Sequence, residues 1–325
     1  MSSAFLGIDI AKHSYQVTLL QAQRPQRAHF RNDPSAFAEL RTWLQRQGVT
    51  ELHACMEASG RYGDALAIYL HAQGYRVSVV NPARIKHYAK SQFRRNKTDK
   101  LDADVIAHFA QTQAPPAWIP PTPETRELAE LVHQYDTLQA ARQQEHNRLQ
   151  AGVQSEQVRQ LLTQHLAFLD SQLAEVRRLI GEHIDQHPDM KQRQALLTSI
   201  PGIGALTAAK LQAIALHRFE DARAASAFGG LHPQQFDSGS SVHRRARMSK
   251  MGHADLRKAL YMPAVVAQRY NPCVRDLCLR LAEKGKHTMA ILGAAMHKLL
   301  CLAYGVLRSG KPFDPNFSKI HAVTP

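Results

Sequence analysis

The chain has 325 residues, enough for two domains with ordinary hydrophobic cores, and this length excludes a small disulfide-stapled module. Lysine and arginine number 41 against 27 aspartates and glutamates, so the formal net charge is +14. Such an excess of cations favours a polyanionic partner, with nucleic acid as the first candidate.

The sequence shows no sign of a membrane or secretory context. No apolar run reaches the roughly 18 residues that span a bilayer, and the N-terminus lacks the charged region of a signal peptide. The four cysteines are few and irregularly spaced, without a Cys-x-x-Cys pair, so they indicate reduced, buried thiols. We therefore expect a cytoplasmic protein with no membrane partner.

Residues 1–113 alternate between strand and helix patterns. Short apolar or alternating runs predict five strands, at Phe5–Ile10, Tyr15–Leu20, Ala28–Arg31, Leu52–Glu57 and Tyr75–Val80. Asn32-Asp33-Pro34 combines a capping residue with a proline and predicts the start of a helix that ends at Gly48, and a second helix ends at Gly74. Three strands followed by alternating helices and strands predict a mixed sheet with helices on its faces.

Four carboxylates in this region fall at strand ends or at a helix start. Asp9 and Glu57 end predicted strands, whereas Asp99 and Asp102 share one face of the next helix and Asp104 points elsewhere. Clustered carboxylates repel unless a cation neutralises them, and such oxygen ligands suit Mg²⁺ or Mn²⁺. The four acids together therefore predict a metal site able to act on a phosphodiester, although a cap or a surface charge is the better interpretation of any one of them alone. The basic stretch before that helix, with Arg94, Arg95 and Lys97, is a candidate nucleic-acid contact.

Three motifs in this region resemble a known family. They are Gly7-Ile8-Asp9-Ile10-Ala11-Lys12, Met56-Glu57-Ala58-Ser59-Gly60, and Arg95-Asn96-Lys97-Thr98-Asp99 with Asp102-Ala103. Together they are similar to the Asp-Glu-Asp-Asp pattern of a RuvC-like transposase domain, and more narrowly to the insertion-sequence family IS110. Members of that family act as recombinases guided by a structured bridge RNA, and the Piv-type DNA invertases are related. The resemblance implies an α/β RNase H-like (RuvC-like) fold for residues 1–113.

Residues 114–187 are predicted to form a linker and a helical arm. Ala114–Pro123 is too rich in proline for a regular element and suggests a stiff spacer. Beyond it, apolar residues recur at spacings of three and four, as in a coiled coil. They are Leu128, Leu131, Tyr135 and Leu138, then Leu162, Leu166, Leu169, Leu173, Val176, Ile180 and Ile184. An antiparallel helical hairpin and a dimerising coiled coil both fit, and the second would make the protein a homo-oligomer.

Residues 188–325 are predicted to form a mainly α second domain. Ile200-Pro-Gly-Ile-Gly204 lies between two helical patterns and resembles a helix-hairpin-helix element, in which Gly202 and Gly204 allow a nucleic-acid backbone to come close. The alternative is an ordinary helical turn. Further helices are predicted at Ala222–Phe228, Ala254–Gln268, Asp276–Glu283 and Thr288–Leu307.

A serine-rich stretch between these helices combines hydroxyls, a glycine and cations. Ser238, Ser240 and Ser241 flank Gly239, and the cations Arg244, Arg245, Arg247 and Lys250 follow. Fixed cations stabilise negative charge on a reacting phosphoryl group, so the stretch is a candidate place for a nucleophile. The alternative is a solvated Ser/Gly loop that only grips a nucleic-acid backbone.

The resemblance to the IS110 family extends to this domain and so covers nearly the whole chain. It includes the glycine turn at Ile200, Phe228-Gly-Gly-Leu231, Ser238-Gly-Ser-Ser241 and Arg247-Met-Ser-Lys250-x-Gly252-His253. In the family's pattern the first serine of the Ser-Gly-Ser-Ser run is the nucleophile, which implies that role for Ser238.

These features predict a transposase that exchanges DNA strands through a covalent serine intermediate, assisted by the acids and their metal. Donor and target DNA are the expected partners, and the bridge RNA and a prokaryotic, nucleoid-associated location are implied by the resemblance alone. One alternative is a RuvC-like nuclease in which metal-activated water cuts DNA without an adduct. Another is a nucleic-acid-binding protein without catalysis, and a serine acyl hydrolase using Ser238 and His243 is a distant further reading.

Overall fold

The computed structural model describes residues 4–21, 24–58, 60–91, 99–238, 242–249 and 251–316, with no side chains described for residues 24, 99–101, 234–238 and 242–247. The chain divides into two compact units, residues 1–120 and 121–325. The first unit carries a sheet, and the second is mainly helical. The functional division at residues 113 and 187 stays a prediction.

The first unit is built on a five-stranded mixed sheet. Its strands are β1 (Ala4–Ile10), β2 (Ser14–Gln21), β3 (Arg24–Arg31), β4 (Leu52–Glu57) and β5 (Arg76–Val80). Their order is β3-β2-β1-β4-β5, with β2 antiparallel to β1 and β3, and β4 parallel to β1 and β5. All five strands were predicted from the sequence, although β3 begins earlier than expected. Asp9 accordingly lies near the end of the central strand.

Two helices cover one face of the sheet, α1 (Pro34–Arg46) and α2 (Asp64–Ala72). The Asp33 carboxylate accepts a hydrogen bond from the backbone N–H of Ala36, and Pro34 occupies the first turn, where its missing N–H is not needed. Leu6 and Ile8 of β1 are fully buried in the core on this side. The predicted α/β class is confirmed, whereas the RNase H-like assignment stays a prediction.

The other face is covered by α3 (Pro82–Ser91) and α4 (Asp99–Gln113). Phe5, Cys55 and Val80 of the sheet belong to the same apolar cluster as Ile106 and Phe109 of α4. Because side chains alternate between faces along a strand, these residues lie opposite those that face α1 and α2. Both faces of the sheet are therefore buried, which explains why its central strands are apolar almost throughout.

The proline-rich segment after α4 runs along the edge strand β5 instead of standing free as a spacer. The backbone N–H of Trp118 donates to the carbonyl of Val77 at 2.7 Å. The hydroxyl of Ser78 donates to the carbonyl of Pro116 at 2.7 Å. The Oγ of Ser78 also lies 2.8 Å from Nε2 of His53. These contacts fasten the segment to the first unit.

The second unit begins with two long helices, α5 (Pro123–Gln150) and α6 (Glu156–Gln186). They pack side by side as an antiparallel hairpin, one of the two arrangements that the apolar spacing allowed. Leu128, Tyr135, Val176 and Ile180 are buried along their seam. Nearer the far end, Arg142 pairs with the carboxylate of Asp170 beside buried Leu169, so an ion pair joins the apolar contacts there.

The rest of the second unit is a helical core. Its helices are α7 (Pro188–Thr198), α8 (Ala205–Ala213), α9 (Ala222–Gly229), α10 (Ala254–Tyr270), α11 (Pro272–Glu283) and α12 (Thr288–Ser309). Within the described ranges, α12 is long and apolar enough to cross a membrane, with a mean hydropathy of 1.7, which corrects the expectation that no apolar run has that length. Leu299, Leu300 and Ala303 of this helix are fully buried among the neighbouring helices, as the residues of a core helix are.

The serine-rich stretch was expected to be a loop, but the described residues on either side of positions 239–241 form two antiparallel strands, β6 (Pro233–Ser238) and β7 (Val242–Met248). Pro233 pairs with Met248 at the base of this hairpin, and Ser238 pairs with Val242 at its tip. The pairing is irregular between Gln234 and Phe236. The domain stays mainly helical, as predicted, with this one small sheet among its described residues.

Candidate functional site

Asp9 and Glu57 lie side by side at the ends of two neighbouring parallel strands. Ile8 of β1 pairs with Met56 of β4, so the next residue on each strand is one of the two acids. Gly7 and Cys55, two residues earlier, face α4, and the alternation of side chains puts both acids on that same face. Both are half-buried. The structure therefore brings the first two predicted acids together.

Helix α4 comes exceptionally close to β1 at Gly7. A Cβ on this glycine would lie 2.1 Å from the carbonyl oxygen of Ala103 and 2.3 Å from the backbone nitrogen of Ala107. Further along α4, Phe109 packs in one cluster with Phe5, which precedes Gly7 on β1. Helix and strand thus run in opposite directions, and the first turn of α4 lies toward the end of β1 that carries Asp9.

Asp102 lies on this first turn and is half-buried. It shares a helical stripe with Ile106 and Phe109, which pack against Cys55 of β4. Asp102 therefore stands on the side of α4 that faces β4, the strand of Glu57. Asp99 is the first residue of α4, and its side chain lies outside the described part of the chain.

The donor set fits a hard divalent cation because all four predicted ligands are carboxylates. Among the residues that the structure describes, however, no three histidine, cysteine, aspartate or glutamate residues form a group that could hold a metal ion. The Asp9 and Glu57 pair is thus the part of the predicted site that the structure assembles, and Asp102 is turned toward it without completing it.

Asp104 points away from these acids, as predicted, and is committed to other contacts. Its Oδ1 accepts hydrogen bonds from Thr18 Oγ1 at 2.8 Å and from Arg27 Nε at 2.9 Å. Its Oδ2 accepts from Arg27 Nη2 at 2.7 Å. Sequence reasoning missed Arg27 altogether, because nothing local connects it to a residue 77 positions away.

Ser238 lies at the tip of its hairpin, five residues from Pro233, or about 17 Å at the usual rise of a strand. The base of the hairpin is held tightly. The backbone N–H of His253 donates to the carbonyl of Phe228 at 2.7 Å, and Arg257 Nη1 donates to the carbonyl of Gly229 at 2.9 Å. The hairpin therefore presents the serine away from a fixed base. In the backbone register of the two strands, His243 lies opposite Asp237, and Ser238 lies opposite Val242.

The two glycines of the predicted helix-hairpin-helix element differ in their surroundings. Gly202 has a φ of +106°, and a Cβ there would lie 2.8 Å from the Cβ of Ala267 and 2.9 Å from the carbonyl of Pro263 in α10. Its close approach is thus to a neighbouring helix. Gly204 precedes α8, and a Cβ there would meet no atom within 4 Å among the described residues. The space beside Gly204 is therefore open among the described residues, and its role as a phosphate contact stays a prediction.

The other predicted nucleic-acid contacts fall mainly on residues outside the described ranges. Outside the described residues lie Arg94, Arg95, Lys97, Ser240, Ser241 and Lys250. Arg244, Arg245 and Arg247 belong to β7, which places their backbone on the serine hairpin, but their side chains are not described.

A groove of about 1290 Å³ adjoins the base of the serine hairpin. Helices α5, α8, α10 and α12 form it, and Met248, the last residue of β7, contributes to its lining. Arg148, Arg257 and Lys258 also line it, and Lys258 is exposed. Sequence reasoning overlooked Lys258, which lies near the start of α10.

Comparison with known proteins gives the same family over most of the chain. Residues 6–157 match a family model described as a transposase of the DEDD type, and residues 194–278 match that of the transposase IS116/IS110/IS902 family. The pilin gene-inverting protein of Moraxella lacunata is 32% identical over 97% of this chain and 98% of its own length, and that of Moraxella bovis is 33% identical over the same shares. The transposase for insertion sequence element IS1111A of Coxiella burnetii is 25% identical over 78% of this chain and 75% of its own. With both family models matched and two relatives aligned almost end to end, the chain belongs to the IS110 family of transposases.

Proposed function

We propose that this protein is a DNA recombinase that moves or inverts DNA segments by transesterification, with Ser238 as the nucleophile and Asp9, Glu57, Asp99 and Asp102 as the acids that assist it. The pairing of Asp9 and Glu57 on adjacent strands, beneath the first turn of α4, carries the proposal most directly. The names of the relatives, a gene-inverting protein and a transposase, support the same reaction class.

The four acids would hold Mg²⁺ or Mn²⁺, with Asp9 and Glu57 from the sheet and Asp99 and Asp102 from α4. A bound cation of this kind supplies Lewis-acid stabilisation of charge on phosphoryl oxygens. Hard carboxylate oxygens on two rigid strands suit it, because strands fix ligand positions better than loops do.

Ser238 would act on a DNA phosphate held near the hairpin tip. A free serine hydroxyl is a weak nucleophile, so its proton must pass to a base as Oγ bonds to phosphorus. The bond from phosphorus to the leaving sugar oxygen then breaks, and that oxygen takes a proton. The phosphoserine ester keeps the energy of the broken bond, which allows a second DNA strand to displace the serine.

The acids belong to one unit and Ser238 to the other, so the proposed reaction requires both. They would meet either within one chain or between two copies of a homo-oligomer. The net charge of +14 supports binding of donor and target DNA, and the structured bridge RNA is proposed from the family resemblance alone.

The covalent intermediate gives the sharpest test. Purified protein would be incubated with end-labelled donor DNA, candidate guide RNA and Mn²⁺, then quenched with denaturant and resolved by electrophoresis. The wild-type protein is expected to give a shifted band that proteinase removes. Ser238→Ala should bind DNA but lose both adduct and strand exchange, because the reacting oxygen is gone.

Ser240→Ala and Ser241→Ala are the matched controls, each removing one hydroxyl from the same Ser-Gly-Ser-Ser run, and both should retain the adduct. Cleaved DNA without an adduct, persisting in Ser238→Ala, would instead establish the RuvC-like nuclease. That alternative needs only the acids of the first unit, which is a compact body without the serine.

A further inference from the structure

An ion pair that the proposed chemistry does not use fastens α4 to the sheet. The Asp104 carboxylate accepts two hydrogen bonds from Arg27, at 2.9 and 2.7 Å, and one from Thr18 at 2.8 Å. Asp104 is 7% exposed and Thr18 is 1% exposed. A forked, two-bond contact between guanidinium and carboxylate fixes orientation as well as distance.

The partners of Asp104 form one row across the sheet. Gly7 pairs with Thr18, and Thr18 pairs with Arg27, so the row crosses β1, β2 and β3. At Gly7 the row also meets the backbone of Ala103. Asp9 and Glu57 occupy the next row on the same face, about 7 Å further along the strands.

The same contact determines how α4 is rotated. Successive residues of a helix lie about 100° apart around its axis. With Ala103 against Gly7, Asp104 leans toward β2 and β3 on one side, and Asp102 leans toward β4 on the other. Any rotation of α4 that carried Asp104 away from Arg27 would turn Asp102 through the same angle and change its position relative to Glu57.

We propose that Asp104 is a positioning residue which, with Arg27 and Thr18, sets the rotation of α4 and so aims Asp102 at the metal held by Asp9 and Glu57. This inference rests on the proposed metal-assisted function. Loss of the contact lowers the affinity for the divalent cation, although none of the three residues touches it.

The test measures binding of Mn²⁺ alone to the full-length protein, by electron paramagnetic resonance of the free ion, together with urea unfolding. Asp104→Asn keeps the size of the side chain but loses the charge that pairs with Arg27. Its dissociation constant for Mn²⁺ should rise by roughly 10- to 100-fold, the usual effect of removing a group that orients metal ligands. Arg27→Lys keeps the charge, loses the fork, and should give a smaller rise.

Asp33→Ala is the matched control. It removes a carboxylate that caps α1 and pairs with Arg31. Because α1 and α4 cover opposite faces of the sheet, the change destabilises the first unit without touching α4. Its affinity for Mn²⁺ should equal that of the wild type, which separates positioning from general loss of stability.

Two further outcomes distinguish this inference from the function on which it rests. Asp9→Asn should abolish the Mn²⁺ binding seen in the wild type. If the wild type does not bind Mn²⁺, or Asp9→Asn binds it equally well, the metal site fails and the positioning role fails with it. If that binding is present but Arg27→Lys and Asp104→Asn bind as tightly as wild type, only the positioning role is overturned. Should Asp104→Asn not fold, Arg27→Lys decides alone, because half of the Arg27 side chain is exposed and its replacement leaves the pair charged.

Discussion

Among the described glycines, Gly7 is the one at which an added Cβ would come closest to other atoms. The backbone of α4 occupies the space where a Cβ would stand, so the strand that carries Asp9 and the helix that carries Asp102 are in direct backbone contact. Any larger residue at position 7 separates them. The glycine therefore serves the site through packing, not through backbone flexibility.

Gly7→Ala should lower the free energy of unfolding by about 1–3 kcal/mol, the usual cost of forcing a methyl group into a packed site. Because α4 must lift from β1, the affinity for Mn²⁺ should fall as well. Urea denaturation and Mn²⁺ titration measure the two effects. Gly181→Ala in α6 is the control, since a Cβ there meets no atom within 4 Å and alanine is the better helix former, which should raise stability by about 0.5–1 kcal/mol. Unchanged stability in Gly7→Ala would show that the close approach is not rigid.

At the scale of the element, β5 and the proline-rich segment are joined through the hydroxyl of Ser78, which also contacts a buried histidine of β4. His53 is 6% exposed and shares the hydroxyl of Ser78 with the carbonyls that fasten the segment. Burial, with a further contribution from Arg76, lowers the pKa of His53 to about 4. The unfolded chain therefore binds this proton more readily than the folded one between pH 6.5 and 4, and stability falls as the pH falls through that window.

His53→Gln should remove this part of the pH dependence. At pH 5 the wild-type penalty from His53 amounts to about 2 kcal/mol relative to neutral pH, and the variant should lack it. Urea midpoints at pH 7.5 and pH 5 measure the difference. The control is His29→Gln, which replaces an exposed histidine of β3. Equal loss of stability on acidification in wild type and His53→Gln would refute the assignment.

The elements differ in how far the sequence could predict them. The strands of the first unit were predictable because Leu6, Ile8 and their neighbours are apolar. Helix α1 was predictable because Asp33-Pro34 marks its start. The serine hairpin was not, because its strands are polar, lack an alternating apolar pattern and meet at a Ser-Gly-Ser-Ser run that suggests a loop. Arg27 escaped notice for a different reason. Its partner Asp104 lies 77 residues away, and only the register of β3 with β2 brings them together.

The same limit applies to the candidate site. Motif resemblance selected Asp9 and Glu57, and parallel pairing of β1 with β4 explains why they meet. It selected Gly202 as a nucleic-acid contact as well, yet that glycine is accounted for by its contact with α10. Spacing along the chain identifies which residues are special, but not whether the neighbour they accommodate is a ligand or another helix.

At the scale of the whole molecule, we expect the excess of positive charge to bind nucleic-acid phosphates at particular surfaces. The groove beside the serine hairpin joins exposed Lys258 to Arg148 and Arg257, close to the end of β7. A nucleic-acid strand that reaches the hairpin base would pass these cations. Each phosphate that a lysine neutralises adds about 0.9 to the slope of log affinity against log salt on duplex DNA.

Lys258→Glu should therefore weaken binding of duplex DNA and reduce that slope by about 1, with little dependence on DNA sequence. Lys284→Glu makes the same change in net charge at an exposed position outside the groove, at the end of α11. Fluorescence anisotropy at several salt concentrations measures both variants against wild type. If the groove binds the backbone, Lys258→Glu changes the slope and Lys284→Glu leaves it nearly as it was. Equal changes in both would mean that DNA responds only to the overall charge, and the groove would then lose its role as an interface.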